Sequence, residues 1–208
     1  MKYFEEGDIL LSDFDGVFLD SQKRFNEVMK EETDFDKWIE FLNGINWRRF
    51  LRECEFMPGA LETFTELERL KILRGFITRI HSFEEGNEKC ILLRELGFKV
   101  PVYYVLPKQS KADVYIPSRK VILLDDDEKN CFEWEEKQGK SILYNPEEKT
   151  CGKKFVKSLT QLTKNLWKKI QKCYNYGIES RLMIWAVISF LDNLILTITK
   201  RRYQCRFF

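Results

Sequence analysis

The sequence predicts an α/β fold with a doubly wound, Rossmann-like parallel sheet. Short apolar runs without helical spacing recur along the chain, as expected of strands buried on both faces. Segments with apolar residues every three or four positions separate these runs, and such alternation is typical of a parallel sheet. The chain has 208 residues, and about 150 suffice for one domain of this type.

Five runs are the strand candidates, and each is short enough to be a strand. They are Ile9–Leu11, Gly75–Thr78, Val100–Leu106, Val121–Leu124 and Ser141–Tyr144. In a parallel sheet, ligands bind beyond the carboxyl ends of the strands. The polar residues that follow these runs are therefore the candidates for a functional site.

Helices are predicted between the runs. Residues 22–56 carry two apolar stripes at helical spacing, and Pro58-Gly59 precedes a further stripe that begins at Leu61. Another helix is predicted around Lys89–Leu96 and is closed by Gly97. The chain therefore returns to helix after each predicted strand.

Asp13 and Asp15 follow the first predicted strand. Side chains two residues apart on an extended backbone lie on the same side, so the two carboxylates repel unless a cation lies between them. Magnesium favours oxygen ligands and is the obvious cation. The stretch has an alternative interpretation, because Asp15-Gly16 between apolar runs is a common hairpin turn.

Charge is divided unevenly along the chain. The net charge is +2, but residues 151–208 contain twelve Lys or Arg and two acidic residues, which gives +10 there and −8 in residues 1–150. This division predicts a core of residues 1–150 and a separate basic extension with an anionic partner, or one that folds back onto the acidic core.

The extension, residues 151–208, is predicted to be helical. Apolar residues recur at helical spacing from Phe155 to Tyr174 with lysines between them, as in a basic amphipathic helix. Residues 182–199 carry only one charge, that of Asp192, and just reach the length of a membrane span. We expect contact with a membrane surface or with protein, either a second copy or the core, ahead of nucleic acid.

Three later stretches extend the pattern begun by the acidic pair. Thr78 ends the second predicted strand, Lys108 and Lys111 follow the third, and Asp125-Asp126 follows the fourth. The order carboxylate pair, hydroxyl, lysine, carboxylate pair resembles the haloacid dehalogenase (HAD) superfamily of phosphohydrolases over residues 7–146. Receiver domains use similar groups, but there the lysine comes last.

This resemblance implies a role for each polar group. Asp13 would attack phosphorus and form an aspartyl-phosphate, and Asp15 would protonate the leaving group and then activate water. Thr78 would bind a phosphoryl oxygen, with Arg79 as a further substrate contact. The phosphate-binding lysine would be Lys111, because Ser110-Lys111-Ala112-Asp113 resembles the opening of a short helix; Lys108 is the alternative.

The resemblance also implies a magnesium site and a small cap. Asp13, the main-chain carbonyl of Asp15, Asp125 and Asp126 would bind Mg²⁺, whereas Asp127 is predicted to cap a helix that Asn130 braces. Residues 21–57 would form a small helical cap over the site. The implied substrate is a small phosphorylated metabolite such as a nucleotide or sugar phosphate.

Other features of the sequence concern the location of the protein, the type of metal and an alternative function. Met1 to Asp8 is polar and acidic and predicts no signal peptide, so we expect a cytoplasmic protein, peripheral to a membrane if the extension binds one. The six cysteines form no CxxC pair, which argues against a zinc site. His81, the single histidine, is interpreted as a loop residue. The alternative function is a non-catalytic binding or scaffold protein that acts through residues 151–208.

Overall fold

The strands form one six-stranded parallel sheet in a computed structural model that describes residues 3–29, 35–146 and 155–164. The strand order is β3-β2-β1-β4-β5-β6. The strands are β1 (Ile9–Ser12), β2 (Leu73–Arg79), β3 (Val102–Val105), β4 (Val121–Asp125), β5 (Lys140–Tyr144) and β6 (Phe155–Val156).

Seven helices lie between residues 21 and 136, and residues 161–164 at the end of the described chain are also helical. The seven are α1 (Ser21–Met29), α2 (Phe35–Gly44), α3 (Trp47–Glu53), α4 (Ala60–Arg69), α5 (Phe83–Glu95), α6 (Lys111–Val114) and α7 (Glu128–Glu136). The first three occupy the segment 21–57, for which the sequence predicts a helical insertion. Asn46 caps α3 by accepting a hydrogen bond from the backbone of Arg49.

The sheet is doubly wound, as the sequence predicts. From β1 the chain moves outward through β2 to β3, then returns to pair β4 with the other side of β1 and continues to β5 and β6. The strand order therefore reverses between β1 and β4. Ligands of open parallel sheets bind at such a reversal, beyond the carboxyl ends of the strands.

Both faces of the sheet are covered by apolar side chains. Phe76 and Ile77 are neighbours on β2 and point to opposite faces, and both are fully buried. Phe76 packs in an aromatic cluster with Phe14, Phe18, Phe64 and Phe98. Ile77 packs in a second cluster that includes Leu11, Val105, Leu123 and Trp134. This double burial explains why the strands are apolar runs without alternation.

The sixth strand differs from the prediction. The sequence predicts Phe155 at the start of the basic helix, but Phe155–Val156 pairs with Leu143–Tyr144 of β5, and the Val156 carbonyl accepts a hydrogen bond from the Asn145 amide. A two-residue strand is too short to show periodicity, so burial of Val156 decides its structure. The sheet therefore extends beyond residue 150, the boundary predicted for the core.

Most of the predicted basic extension lies outside the described residues. This holds for residues 151–154 and 165–208, which include the apolar stretch 182–199. Within the described ranges, no helix has both the length and the apolar character needed to cross a membrane. The contacts predicted for the extension therefore stay predictions.

Candidate active site

The carboxyl ends of β1, β2 and β4 bring the candidate residues together. Asp13 directly follows β1, Thr78 lies near the end of β2 and Asp125 ends β4. The Asp13 amide donates a hydrogen bond to the Leu124 carbonyl at 2.8 Å, which places Asp13 beside the end of β4. The interpretation of Asp15-Gly16 as a hairpin turn is wrong, because β1 pairs in parallel with β2 and β4.

Lys111 joins the two acidic stretches. Its Nζ lies 2.6 Å from Oδ2 of Asp13 and 2.7 Å from Oδ2 of Asp125. The residue is almost fully buried, and it begins α6, the short helix capped by Ser110. Burial acts to lower the pKa of Lys111, but the two carboxylates outweigh it and raise that pKa. Lys108, the alternative lysine, is exposed.

Asp125 is fixed by donors on its other side. Its Oδ1 accepts hydrogen bonds at 3.0 Å from the Asp127 amide and from Nδ2 of Asn130. Asp127 is the N-cap of α7, where its side chain accepts a hydrogen bond from the Lys129 amide. The capping role predicted for Asp127 is thus confirmed, and Asn130 braces the loop through Asp125.

Asp126 lies against the turn that follows β1. Gly16 in that turn has a φ of +71°, a conformation that residues with a side chain rarely adopt. A Cβ atom built on Gly16 would also overlap the Asp126 carboxylate. Glycine therefore lets the turn approach Asp126 closely.

Asp13, Asp125 and Asp126 fit a hard cation. One carboxylate oxygen from each lies within 4.8 Å of the others. Burial, together with repulsion from the neighbouring acids, raises the pKa of Asp13 well above its usual value, although Lys111 opposes this. Desolvation and the charge of Asp125 raise the pKa of Asp126 to about 7. Crowded carboxylates that favour protonation are suited to a divalent ion, since the ion replaces the protons.

Asp15 faces a separate set of donors. Its Oδ1 accepts a hydrogen bond from Oγ of Ser21 at 2.8 Å, and its Oδ2 accepts one from Oγ1 of Thr78 at 3.1 Å. Nζ of Lys89 lies 2.6 Å from the same Oδ2 atom. Burial favours the neutral acid, but Lys89 and these hydrogen bonds outweigh it and lower the pKa of Asp15.

Lys89 and Ser21 both contact Asp15, and neither is among the site residues predicted from the sequence. Lys89 lies on α5, which begins at Phe83, six residues before the predicted helix, because Ser82 is its N-cap. Glu85 and Lys89 share the buried face of α5 with Leu92 and Leu93. The spacing places Glu85 and Lys89 on the same side of the helix as apolar Leu92 and Leu93. An acid and a base in that position are buried only when they are paired, and this was the available signal.

Arg79 and His81 lie beside this set. Nη2 of Arg79 is 3.4 Å from the Gln109 carbonyl, in the loop that leads to Lys111. The backbone amide and Nδ1 of His81 both contact Oε2 of Glu85, and the His81 ring stacks on Trp47 of α3. A direct contact of Arg79 with substrate stays a prediction.

Solved structures share this fold, although no protein-family model matches the chain and no curated protein matches it significantly. The HAD-hydrolase YfnB from Bacillus subtilis, in a magnesium-bound crystal form, gives a TM-score of 0.53 at 16% identity over 80% of this chain and 99% of that chain. A phosphonoacetaldehyde hydrolase-like protein from Oleispira antarctica gives 0.52 at 9% identity, over 83% and 95% of the two chains. A hydrolase from Pseudomonas syringae gives 0.51 at 12% identity, over 77% and 98%.

These likenesses concern the fold, because sequence identity is low throughout. They confirm the resemblance that the order of the motifs indicates, at the level of the fold. The chemistry must be argued from the residues at the strand ends.

Proposed function

We propose that this chain, which has the HAD-type hydrolase fold, is a magnesium-dependent phosphatase that hydrolyses a phosphomonoester through an aspartyl-phosphate. One observation carries the proposal: Lys111 lies between the carboxylates of Asp13 and Asp125 at the reversal of strand order. A nucleophile, a buried cation and an acidic cluster for a divalent ion are together there. Phosphoryl transfer depends mainly on such positioning and charge stabilisation.

The first half-reaction uses Asp13 and Asp15. A carboxylate oxygen of Asp13 bonds to phosphorus while the bond from phosphorus to the ester oxygen breaks. Asp15 donates a proton to the departing oxygen. The pKa of Asp15 is low in the free site, but an anionic phosphoryl group beside it raises that pKa and favours protonation when substrate binds.

The second half-reaction regenerates Asp13. Asp15, now ionised, takes a proton from water while the water oxygen attacks the phosphorus of the aspartyl-phosphate. Inorganic phosphate leaves, and the Asp13 carboxylate is restored. Throughout, Lys111 offsets the negative charge that phosphate brings to Asp13.

Magnesium fits the acids that remain. Asp13, Asp125 and Asp126 would hold it, together with the main-chain carbonyl of Asp15. When bound, it supplies positive charge that screens the phosphoryl oxygens from the carboxylates. The magnesium-bound form of YfnB supports this choice of metal by analogy of fold.

Phosphoryl chemistry is favoured over dehalogenation by Asp15. By the resemblance to the HAD superfamily, dehalogenases lack a second acid at this position. Here Asp15 is present and held by three donors, from Ser21, Thr78 and Lys89. A proton donor and acceptor is needed for an ester oxygen and for water, so we assign a phosphorylated metabolite as substrate.

The test is phosphate release from p-nitrophenyl phosphate by the full chain, with and without magnesium. We expect activity that requires magnesium and that Asp13→Asn abolishes. Asp8→Asn is a matched control, because Asp8 is a buried acid just before β1, at the opposite end of the sheet. Activity that persists in Asp13→Asn, or that is equally lost in a folded Asp8→Asn protein, would contradict the proposed mechanism.

A further inference from the structure

Lys89 is a buried lysine to which the proposed reaction assigns no step. Its side chain is fully enclosed, and its Nζ contacts Asp15, Glu85, Thr78 and the Arg79 carbonyl. The distances are 2.6, 2.6, 3.0 and 3.2 Å in that order. Burying an ammonium group is costly unless carboxylates and hydrogen bonds compensate it, as they do here.

The ammonium joins two strand ends from a third element. Asp15 follows β1, Thr78 belongs to β2, and Lys89 reaches both from α5. Since Nζ lies within hydrogen-bond distance of Oδ2 of Asp15 and of Oγ1 of Thr78, it fixes these two oxygen atoms relative to each other. The Asp15 oxygen belongs to the group proposed to transfer the proton. The Thr78 oxygen belongs to the hydroxyl proposed to bind a phosphoryl oxygen.

Glu85 fixes Lys89 in turn. Its Oε1 lies 2.6 Å from Nζ of Lys89, one helical turn away on α5. Its Oε2 accepts a hydrogen bond of 2.7 Å from the His81 amide, at the start of the loop between β2 and α5. Glu85 thus anchors the lysine to the backbone that follows Thr78.

Each acid of the first pair has its own buried lysine. Lys111 lies 2.6 Å from Asp13, and Lys89 lies 2.6 Å from Asp15. The two lysines come from different helices, α6 and α5. A substitution at one therefore leaves the partner of the other acid in place.

We infer that Lys89 is a positioning residue, which holds the Asp15 carboxylate beside Thr78 in the orientation needed for proton transfer. The inference rests on the proposed phosphatase function. Lys89 acts through Asp15, and Glu85 holds the ammonium group of Lys89 in place. Without Lys89, Asp15 loses its charged partner and is held only by the hydroxyl groups of Ser21 and Thr78, which fix the carboxylate less firmly.

The experiment replaces Lys89 with Ala in the full chain and measures kcat and KM for p-nitrophenyl phosphate with magnesium. We expect kcat to fall about 100-fold, the scale of a misplaced catalytic group, with a smaller change in KM. n-Propylammonium matches the atoms that Ala lacks, so it should restore part of kcat with saturation. Tetramethylammonium, which has no N–H donor, should not.

Two further variants separate positioning from stability. Lys89→Met/Glu85→Gln removes the buried pair together, which is better tolerated than removing one partner; we expect a folded protein with the same loss of kcat. Lys140→Ala removes a lysine paired with Asp8 at the far end of the sheet, and should lower thermal stability without lowering kcat.

The outcomes are distinct. Parental kcat in Lys89→Ala or in the double variant overturns the inference. So does a loss of kcat that n-propylammonium does not restore in a folded protein. By contrast, a parent protein that is inactive, or an active Asp13→Asn, refutes the proposed function itself.

Discussion

Lys111 pairs with Asp13 although the two residues lie far apart in the sequence, and both are almost fully buried. Lys111 is also shared with Asp125, so two carboxylates, one just after β1 and one at the end of β4, depend on a single ammonium group from α6. Removing one partner of such a group leaves uncompensated charge in the interior, whereas an exposed pair contributes little.

We therefore predict that Lys111→Met lowers the free energy of unfolding by about 3 kcal/mol when magnesium is absent. It should also abolish most phosphate release. Lys108→Met distinguishes the two candidate lysines, because Lys108 is exposed and its loss should change stability by less than about 0.5 kcal/mol. Urea denaturation with parallel assays measures both. A larger loss of activity in Lys108→Met than in Lys111→Met would identify Lys108 as the phosphate-binding lysine.

The Gly16 turn provides a second prediction. Gly16→Ala should destabilise the protein by about 1–2 kcal/mol through its positive φ alone, and should also weaken magnesium binding, because the added Cβ overlaps Asp126. Gly7→Ala is the matched control: Gly7 has a φ of +78° but open space around it. Calorimetric titration with magnesium should separate the two variants. Equal magnesium affinity in both would remove the argument from steric overlap.

The stability of the metal-free protein should depend on Asp126. Its pKa is about 7 in the folded protein against 3.8 ordinarily. Between these values the folded state holds a proton that the unfolded state has lost, so stability falls as pH rises from about 4 to about 7. Thermal melts across this range in a chelator measure the slope. Asp126→Asn should make it shallower without abolishing it, because burial raises the pKa of Asp13 as well; an unchanged slope in that variant would assign the effect to Asp13.

The acidic triplet offers a fourth prediction, because its members differ in role. Asp127→Ala should lower the free energy of unfolding by about 1 kcal/mol, as expected when a helix loses its N-cap. Magnesium affinity should stay within about twofold of the parent, since Asp127 lies outside the three-acid cluster. Asp126→Ala should instead weaken magnesium binding about 10-fold or more. If Asp127→Ala weakened magnesium binding more than Asp126→Ala, Asp127 and not Asp126 would be the second metal-binding acid.

The sequence was sufficient for those parts of the fold that repeat a simple pattern. Apolar runs such as Val121–Leu124 predict strands because they are buried on both faces, and the order of their polar ends predicts which strand tips carry charge. The N-cap role of Asp127 is predictable because capping depends on a few neighbouring residues. These features share short-range causes.

Lys89 and β6 could not be predicted, because both depend on contacts between residues far apart in the sequence. Whether a lysine on a helix is solvated or buried against Asp15 depends on a contact between residues 74 positions apart, which no local spacing encodes. Phe155–Val156 becomes a strand because β5 offers it an unpaired edge. The strand propensity of two residues is too weak to determine their secondary structure, so the pairing with β5 determines it.

The short sixth strand has a practical consequence for shortening the chain. Ending the polypeptide at residue 150 would strip β5 of its outer neighbour and leave backbone donors and acceptors along Leu143 and Tyr144 open to self-association. Ending it after residue 164 would retain that neighbour, together with the buried Leu159 and Leu162. We therefore expect the shorter fragment to aggregate and the longer one to stay dispersed.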